Sequence, residues 1–463
     1  MTARLQSEIS MYKQRIVITG MGQISPLGLT REQLWEGLSS GKSGVDALTQ
    51  LPPDSPVSFG GEAREFVSNI DNYGELSKDV KKNIRKGQKV MSRETRLGLA
   101  AAQRALHDAG FEGPATDDGS VPVDGSHYSP DRSGIYFGSD YQITMPFDFE
   151  LAVSKCLTEN REFDFSQWPE KGLPAMNPLW LLIFLPNMPA CHVTMYNDMR
   201  GASNTITQRE ASGNMCIEHA SHFLDNGDYD MMLCGATGTR LNPMKALQAF
   251  KNEKLADPGY ISQPDQASRP FDKNRTGQVL AEGAGCVVLE TLAGAQKRGA
   301  AIQAELLAGA STMASNGQLN GKPATAEIIR KAVKNVLEIV IPRAGLTPKD
   351  IDFVIAHGLS DPEMDKGEAQ GIADVFGPNG VNVVALKANF GNLGAGAGMV
   401  ELIAGIEALQ HGTLFPNPNY TTPDENCPVR IVTQAVPAGN VFVNISISPQ
   451  GQTSATVIKK FEP

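Results

Sequence analysis

Four stretches place chemically capable side chains beside predicted strand ends. In "TQREASGN" (207–214) a β-prone run turns into small residues that open a helix, with Glu210 on the corner. A side chain on such a strand-to-helix corner is exposed, and the helix N-terminus favours negative charge. Enzymes often place Ser or Cys there. "AHGLSDP" (356–362) puts His357 just after a strand, and "LKANFGNLGAGAG" (386–398) puts Lys387 and Asn392 ahead of a Gly-rich helix start. "FDKNRTGQVLAEGAG" (271–285) adds Asp272, Arg275 and Glu282. Strand ends and helix starts of open α/β sheets usually converge on one pocket. Glu210, His357, Lys387 and Asn392 are therefore predicted to share a site.

Other motifs carry less. "GMGQISPLG" follows a strand but lacks GxGxxG spacing, which argues against a dinucleotide site. The glycines of "GNLGAGAG" (391–398) have no Walker Lys-Ser/Thr beside them, and close backbone packing explains them better. Glu218, His219 and His222 in "IEHASH" lack the further ligands that a metal centre needs, so neither a metal nor a cofactor is expected.

The elements that must hold these residues alternate along the chain. Strands are predicted at 15–21, 133–140, 229–237, 284–292, 351–358 and 440–447, and helices at 30–44, 93–110, 326–340 and 398–412. Such alternation means an α/β fold with mainly buried strands. The Pro-, Ser- and Asp-rich stretch 257–272 is the best boundary, giving halves of 1–262 and 263–463.

Composition narrows the class. The 463 residues carry 20% charged and 41% apolar side chains with a formal net charge of −10. That balance is ordinary for a globular protein and argues against a nucleic-acid binder. None of the six cysteines forms a CxxC pair, so reduced thiols in a cytoplasmic protein are expected. The start "MTARLQSEISMYKQ" lacks the apolar core of a secretory signal. The most apolar run, "LWLLIFL" (179–185), has seven residues, whereas a membrane span needs about 20.

"ASRPFDKNRTGQVLAEGAGCVVLE", "RGASNTITQREASGN" and "AHG…DKGEAQ" together resemble the β-ketoacyl synthases, the condensing enzymes of fatty-acid and polyketide synthesis. The resemblance runs from "RIVITGMGQISPLG" to "SATVIKK". It implies a thiolase-like fold, two similar α/β halves stacked in five α/β/α/β/α layers, usually as a dimer. It also implies a decarboxylating Claisen condensation. A Cys at a buried helix N-terminus takes an acyl chain from a carrier protein, and two histidines support malonyl decarboxylation and attack.

The chain departs from that pattern where the chemistry sits. Glu210 stands at the nucleophile position, and a carboxylate is a poor thioester acceptor. Cys216 lies six residues on, more than a helical turn away. His357 and Lys387 match the family, but Asn392 replaces the second His and has no acid–base chemistry near neutrality. Leu359 and Asp361 replace the two threonines that contact the pantetheine arm. "SPQGQT" (448–453), with Ser448, Pro449 and Gln450, replaces the Gly-rich gating turn, and Pro449 has no N–H.

Three roles for Glu210 follow: a catalytic acid–base, a mimic of the acylated enzyme's carbonyl that promotes decarboxylation, or a structural stand-in for the thiolate with Lys387 or His357⁺ as ion partner. The resemblance makes Asp272, Arg275 and Glu282 a buried polar network joining the halves. It makes Arg85, Lys86 and Lys89, in the basic run 78–96, a docking surface for an acyl carrier protein. The segment "MNPLWLLIFLPNMPACHV" (176–193) resembles the dimer interface beside the acyl pocket. The reading is a condensation-inactive protein similar to chain-length factors, a homodimer or the partner of an active ketosynthase. The alternatives are a malonyl-carrier decarboxylase or synthase with an atypical site, and a non-catalytic acyl-ligand binding protein.

Overall fold

The computed structural model describes residues 12–114, 125–315 and 323–462. The reading of the first residues as free of a leader falls on residues 1–11, outside that range. Eleven strands form one sheet: β1 (Ile16–Ile24), β2 (Ser133–Ser139), β3 (Ser203–Ile206), β4 (Met231–Thr239), β5 (Glu282–Thr291), β6 (Ala304–Met313), β7 (Phe353–Ile355), β8 (Asn382–Val384), β9 (Arg430–Ile431), β10 (Val441–Ile447) and β11 (Gln452–Lys459). Their spatial order is β9-β8-β7-β10-β11-β6-β1-β5-β4-β2-β3.

That order contains a repeat. From β1 the first half runs β1-β5-β4-β2-β3, and from β6 the second runs β6-β11-β10-β7-β8. In each half the last strand in sequence returns antiparallel between the first and the fourth. The halves meet through the short antiparallel pairing of Ile16–Ile18 with Ala304–Leu306. Strand pairing thus puts β5 in the first half, and the division falls after Thr291 rather than at residue 262. The Pro-rich stretch marks a loop before β5, not the seam.

Nine helices matter here: α1 (Arg31–Ser39), α2 (Lys78–Gly87), α3 (Arg93–Asp108), α4 (Met188–Asn197), α5 (Ser212–Asp225), α6 (Pro243–Asn252), α7 (Ala326–Arg343), α8 (Pro362–Phe376) and α9 (Ala397–His411). α1 opens on a Thr30–Gln33 capping box, which satisfies two orphan N–H groups. α9 is buried on every side from Ala397 to Leu409, as its nearly continuous apolar sequence dictates. It lies with α5 between the two halves of the sheet, while α3 and α4 cover the first half outside and α7 and α8 the second. The result is five α/β/α/β/α layers.

The central layer positions the site. The 391–398 stretch runs against β4 and β5 at backbone distance. A Cβ on Gly238 would lie 2.5 Å from the Leu393 carbonyl oxygen, so glycine there lets Asn392 approach the end of β4.

Candidate functional site

The corner after β3 is a 3₁₀ turn, Arg209–Ala211, that leads into α5. Arg209 holds a left-handed φ of 51°, which costs a non-glycine residue roughly 1 kcal/mol or more. The Gln208 N–H donates to Ser212 Oγ at 2.8 Å and ties the turn to the helix. The geometry buries Glu210 to 1% exposure.

Glu210 meets two arginines. Arg240, the residue just after β4, is 1% exposed and donates to Glu210 Oε1 at 3.2 Å. Its Nη2 also donates to both oxygens of Glu253, at 2.7 Å each. Arg209 reaches the same two acids, Glu253 at 3.2 Å and Glu210 at 3.4 Å. Asn392 Nδ2 spends its two N–H groups on Glu210 Oε1 and Gln278 Oε1, both at 2.9 Å, and Gln278 Nε2 donates to Glu253 at 2.6 Å. The loop Glu210–Asn392–Gln278–Glu253–Arg240 therefore closes on itself. Together with Arg209, its Arg240, Glu210 and Glu253 make two guanidiniums and two carboxylates that sum to zero charge, the condition for burying ions. Asparagine suits position 392 because one amide nitrogen offers two donors, where a neutral imidazole has a single N–H.

Electrostatics favours the ionised acid. Burial pushes the Glu210 carboxyl upward, but Arg209 and Arg240 outweigh it and hold its pKa at about 2. The anticipated pairing with Lys387 or His357⁺ is not formed. Lys387 donates instead to Glu401 Oε1 at 2.6 Å, to the His357 carbonyl at 2.7 Å and to His357 Nδ1 at 3.2 Å. A lysine ammonium only donates, so Nδ1 accepts and the ring proton sits on Nε2, buried and without a partner. Burial, then the Lys387 charge, push His357 well below its ordinary pKa, so the ring is neutral at pH 7.

The remaining predicted residues separate. Leu359 is buried, its N–H donating to Asp365. Asp361 is the N-cap of α8 and accepts from the Glu363 and Met364 N–H groups at 2.9 Å, which leaves it a structural role. At the 448–450 turn, Ser448 N–H donates to Gln452 O, Pro449 O accepts from Ala324, and Gln450 is exposed. No free backbone oxyanion donor remains on Ser448 or Pro449, although the buried Ser448 hydroxyl has no hydrogen-bond partner.

The expected network of Asp272, Arg275 and Glu282 is two networks. Asp272 accepts from Thr421 and Thr422, and Arg275 pairs with Asp424, all toward the second half. Glu282 pairs with Arg93 of α3 at 2.5 Å, in the first half. Arg85 and Lys86 lie exposed in the last turn of α2 and Lys89 just beyond it; among the described residues none of the three has an ion pair. Glu218 pairs with Arg343 and His219 stacks on Tyr136. Cys216 is buried with its thiol pushed up by desolvation, so it is inert.

Sequence reasoning missed Arg240, Glu253 and Gln278. One signal was present: Arg240 is a cation three residues after the apolar run "MMLCGAT" (231–237). A cavity of about 180 Å³ walled by Val57, Phe59, Phe250 and Leu255 reaches Glu253 and Gln278, but its lining includes none of Glu210, His357 or Asn392. Chemically the corner offers an unreactive carboxylate and a single neutral imidazole.

Comparison with known proteins is consistent across sequence and structure. The model of the beta-ketoacyl synthase N-terminal domain matches residues 13–295, and that of the C-terminal domain matches residues 307–421. A 3-oxoacyl-[acyl-carrier-protein] synthase 2 from Coxiella burnetii is 30% identical over 91% of this chain and 92% of its own. Its namesake from Staphylococcus aureus is 28% identical, over 97% and 99%. Among solved structures, the ishigamide ketosynthase/chain length factor aligns with a TM-score of 0.78 at 24% identity, over 97% of this chain and all of that one. A beta-ketoacyl synthase from Burkholderia phymatum aligns at 0.78 and 22%, with the same coverage.

Proposed function

Because the chain belongs to the beta-ketoacyl synthase family and keeps its thiolase-like fold, yet fills the nucleophile corner with a paired carboxylate, we propose that it is a condensation-inactive partner subunit. In this reading it serves an active ketosynthase of fatty-acid or polyketide-type synthesis, as a chain-length factor does. The observation that carries the proposal is the closed circuit around Glu210. A site that had only lost its Cys would leave room for an acyl thioester. Here Arg209, Arg240, Glu253, Gln278 and Asn392 occupy and neutralise the corner.

What the chain keeps fits a partner role. Leu179 and Leu181 of the expected interface stretch 176–193 are exposed, and the preceding residues add exposed Phe147, Leu151, Phe165 and Leu173, so the segment 145–185 offers apolar side chains for a subunit contact. β3 ends the sheet with Ser203 and Asn204 exposed. The cations of α2 suit an acidic carrier protein. The six unpaired cysteines suit a reducing, cytoplasmic setting.

Co-expression with a Cys-His-His ketosynthase from the same genome tests the proposal. We expect a stable heterodimer. Self-association alone would remove the partner role. Incubating the pure protein with malonyl-carrier protein addresses the rival enzyme reading: we expect no acetyl-carrier above a Glu210→Ala control, and product above that control would establish decarboxylation instead.

A further inference from the structure

A cavity of about 280 Å³ lies between the first turns of α3 and α6, closed by residues that follow β2 and by Ile183 and Phe184. None of its lining residues belongs to the circuit around Glu210. Its volume is at the small end for ligand sites.

Two residues that line this space each leave a hydrogen bond unmade. Glu94 of α3 is 3% exposed. Its Oε1 accepts from the Thr239 N–H at 3.0 Å and from Lys245 Nζ at 2.5 Å. Its Oε2 has no partner among the described residues, yet it is not sealed off from water. Asn242 is the N-cap of α6. Its Oδ1 is spent on the Met244 N–H at 2.9 Å and the Lys245 N–H at 3.4 Å, and among the described residues its Nδ2 donates to none. One acceptor and one donor are thus unmatched in a space otherwise walled by Ile143, Met145, Ile183, Phe184 and Leu241.

The charges around the cavity answer one another. Lys245 pairs with Glu94 and Arg93 with Glu282, each at 2.5 Å. Asp140 lies 3.9 Å from Lys245, and the N-termini of α3 and α6, about half a positive charge each, offset it. A charged ligand would lose its hydration here without gaining a counter-ion. A bare hydrocarbon fails for the opposite reason, since it would strip water from Glu94 Oε2 and Asn242 Nδ2 and return no hydrogen bond.

We propose that this cavity is a binding site for a small uncharged alcohol with an apolar body of about six carbons. The hydroxyl donates to Glu94 Oε2 and accepts from Asn242 Nδ2, and the carbon body packs on Ile143, Ile183 and Phe184. The site is formed within one chain and does not rest on the partner-subunit reading.

Calorimetric titration of the full chain at pH 8 tests this. Burial raises the Glu94 pKa to about 7 against the pull of Lys245, so at pH 8 Oε2 is an acceptor. Three probes of similar size separate the contacts. Cyclohexanol donates and accepts, its isomer cyclopentyl methyl ether only accepts, and cyclohexanecarboxylate is an anion. We expect saturable binding of cyclohexanol with Kd on the order of 1 mM. The ether and the carboxylate should each bind about tenfold more weakly or worse. Asn242→Asp keeps a good helix cap but removes the donor, and should weaken cyclohexanol binding about tenfold. Ile143→Trp, which fills the cavity from its apolar wall, should abolish that binding and covers the case in which Asn242→Asp does not fold. Absence of saturable cyclohexanol binding, equal affinity for the ether or the carboxylate, or binding unchanged in either folded variant would overturn the proposal.

Discussion

Removing the Glu210 carboxylate leaves Arg240, buried with 1% of its surface exposed, sharing Glu253 with Arg209. Glu210→Gln should therefore destabilise the fold by about 3–5 kcal/mol, the usual cost of orphaning one member of a buried pair. Adding Arg240→Met restores neutrality with Arg209 and Glu253 and should recover most of the loss. Urea unfolding of both single variants and the double gives the coupling directly, and additive effects would show that the two residues do not depend on each other. His357 sets a separate pH limb. Its folded pKa lies well below the unfolded value near 6.5, so below pH 6.5 the unfolded chain takes up a proton that the buried ring refuses. The His357 contribution to stability should be flat above that pH and fall below it by about 1.4 kcal/mol per pH unit. Burial raises Glu94, Asp365 and Glu368 to about 7, 7 and 8, and these titrate with the opposite sign, so the His357 limb is read as the difference between the parent and His357→Gln across pH. Glu210, depressed from 4.5 to about 2, adds a second loss as pH falls between those values, and the His357 variant should retain it.

At the scale of elements, α2 carries the carrier-docking prediction. Its Ser77 cap and first-turn Asp79 complement the helix dipole at one end, and Arg85 and Lys86 complement it at the other. Arg85→Glu with Lys86→Glu and Lys89→Glu should weaken binding of an acidic carrier protein at least tenfold at low salt, with a thermal midpoint close to that of the parent. Binding by surface plasmon resonance that ignores these changes would clear α2 of that role. Elements were the most legible part of the chain. β1, β2, α3, α7 and α9 follow from apolar runs and caps that act within a few residues. The corner at Glu210 was legible for the same reason. Arg240 and Glu253 were not, because Arg240 lies 30 residues from Glu210 and Glu253 lies 44 from Arg209, and "FKNEKLAD" reads as a solvated helix end. The seam between the halves was misplaced because β5 returns antiparallel to the first sheet after a loop that looks like a linker.

For the whole molecule, the repeat of β1–β5 in β6, β7, β8, β10 and β11 builds a frame that does not need the reaction. The frame is held by α9 and α5, which lie between the half-sheets, and the corner is attached to it through β3, β4 and the 391–398 stretch. Two predictions belong here. Restoring the nucleophile by Glu210→Cys should give no 3-oxoacyl-carrier product by mass spectrometry, since Arg240 and Glu253 still fill the corner; product would show that the corner opens on its own. Leu179→Asp with Leu181→Asp should shift light-scattering mass toward the monomer if the segment 145–185 carries the subunit contact, and an unchanged mass would locate that contact elsewhere.

The neutral circuit also constrains which substitutions the corner tolerates. Glu210, Glu253, Arg209 and Arg240 share one burial, so replacing any one of them by a neutral residue strands a charge inside the protein. Replacing one acid together with one arginine keeps the sum at zero. Variation at this corner is therefore expected in pairs, whereas the exposed cations of α2 are free to change one at a time.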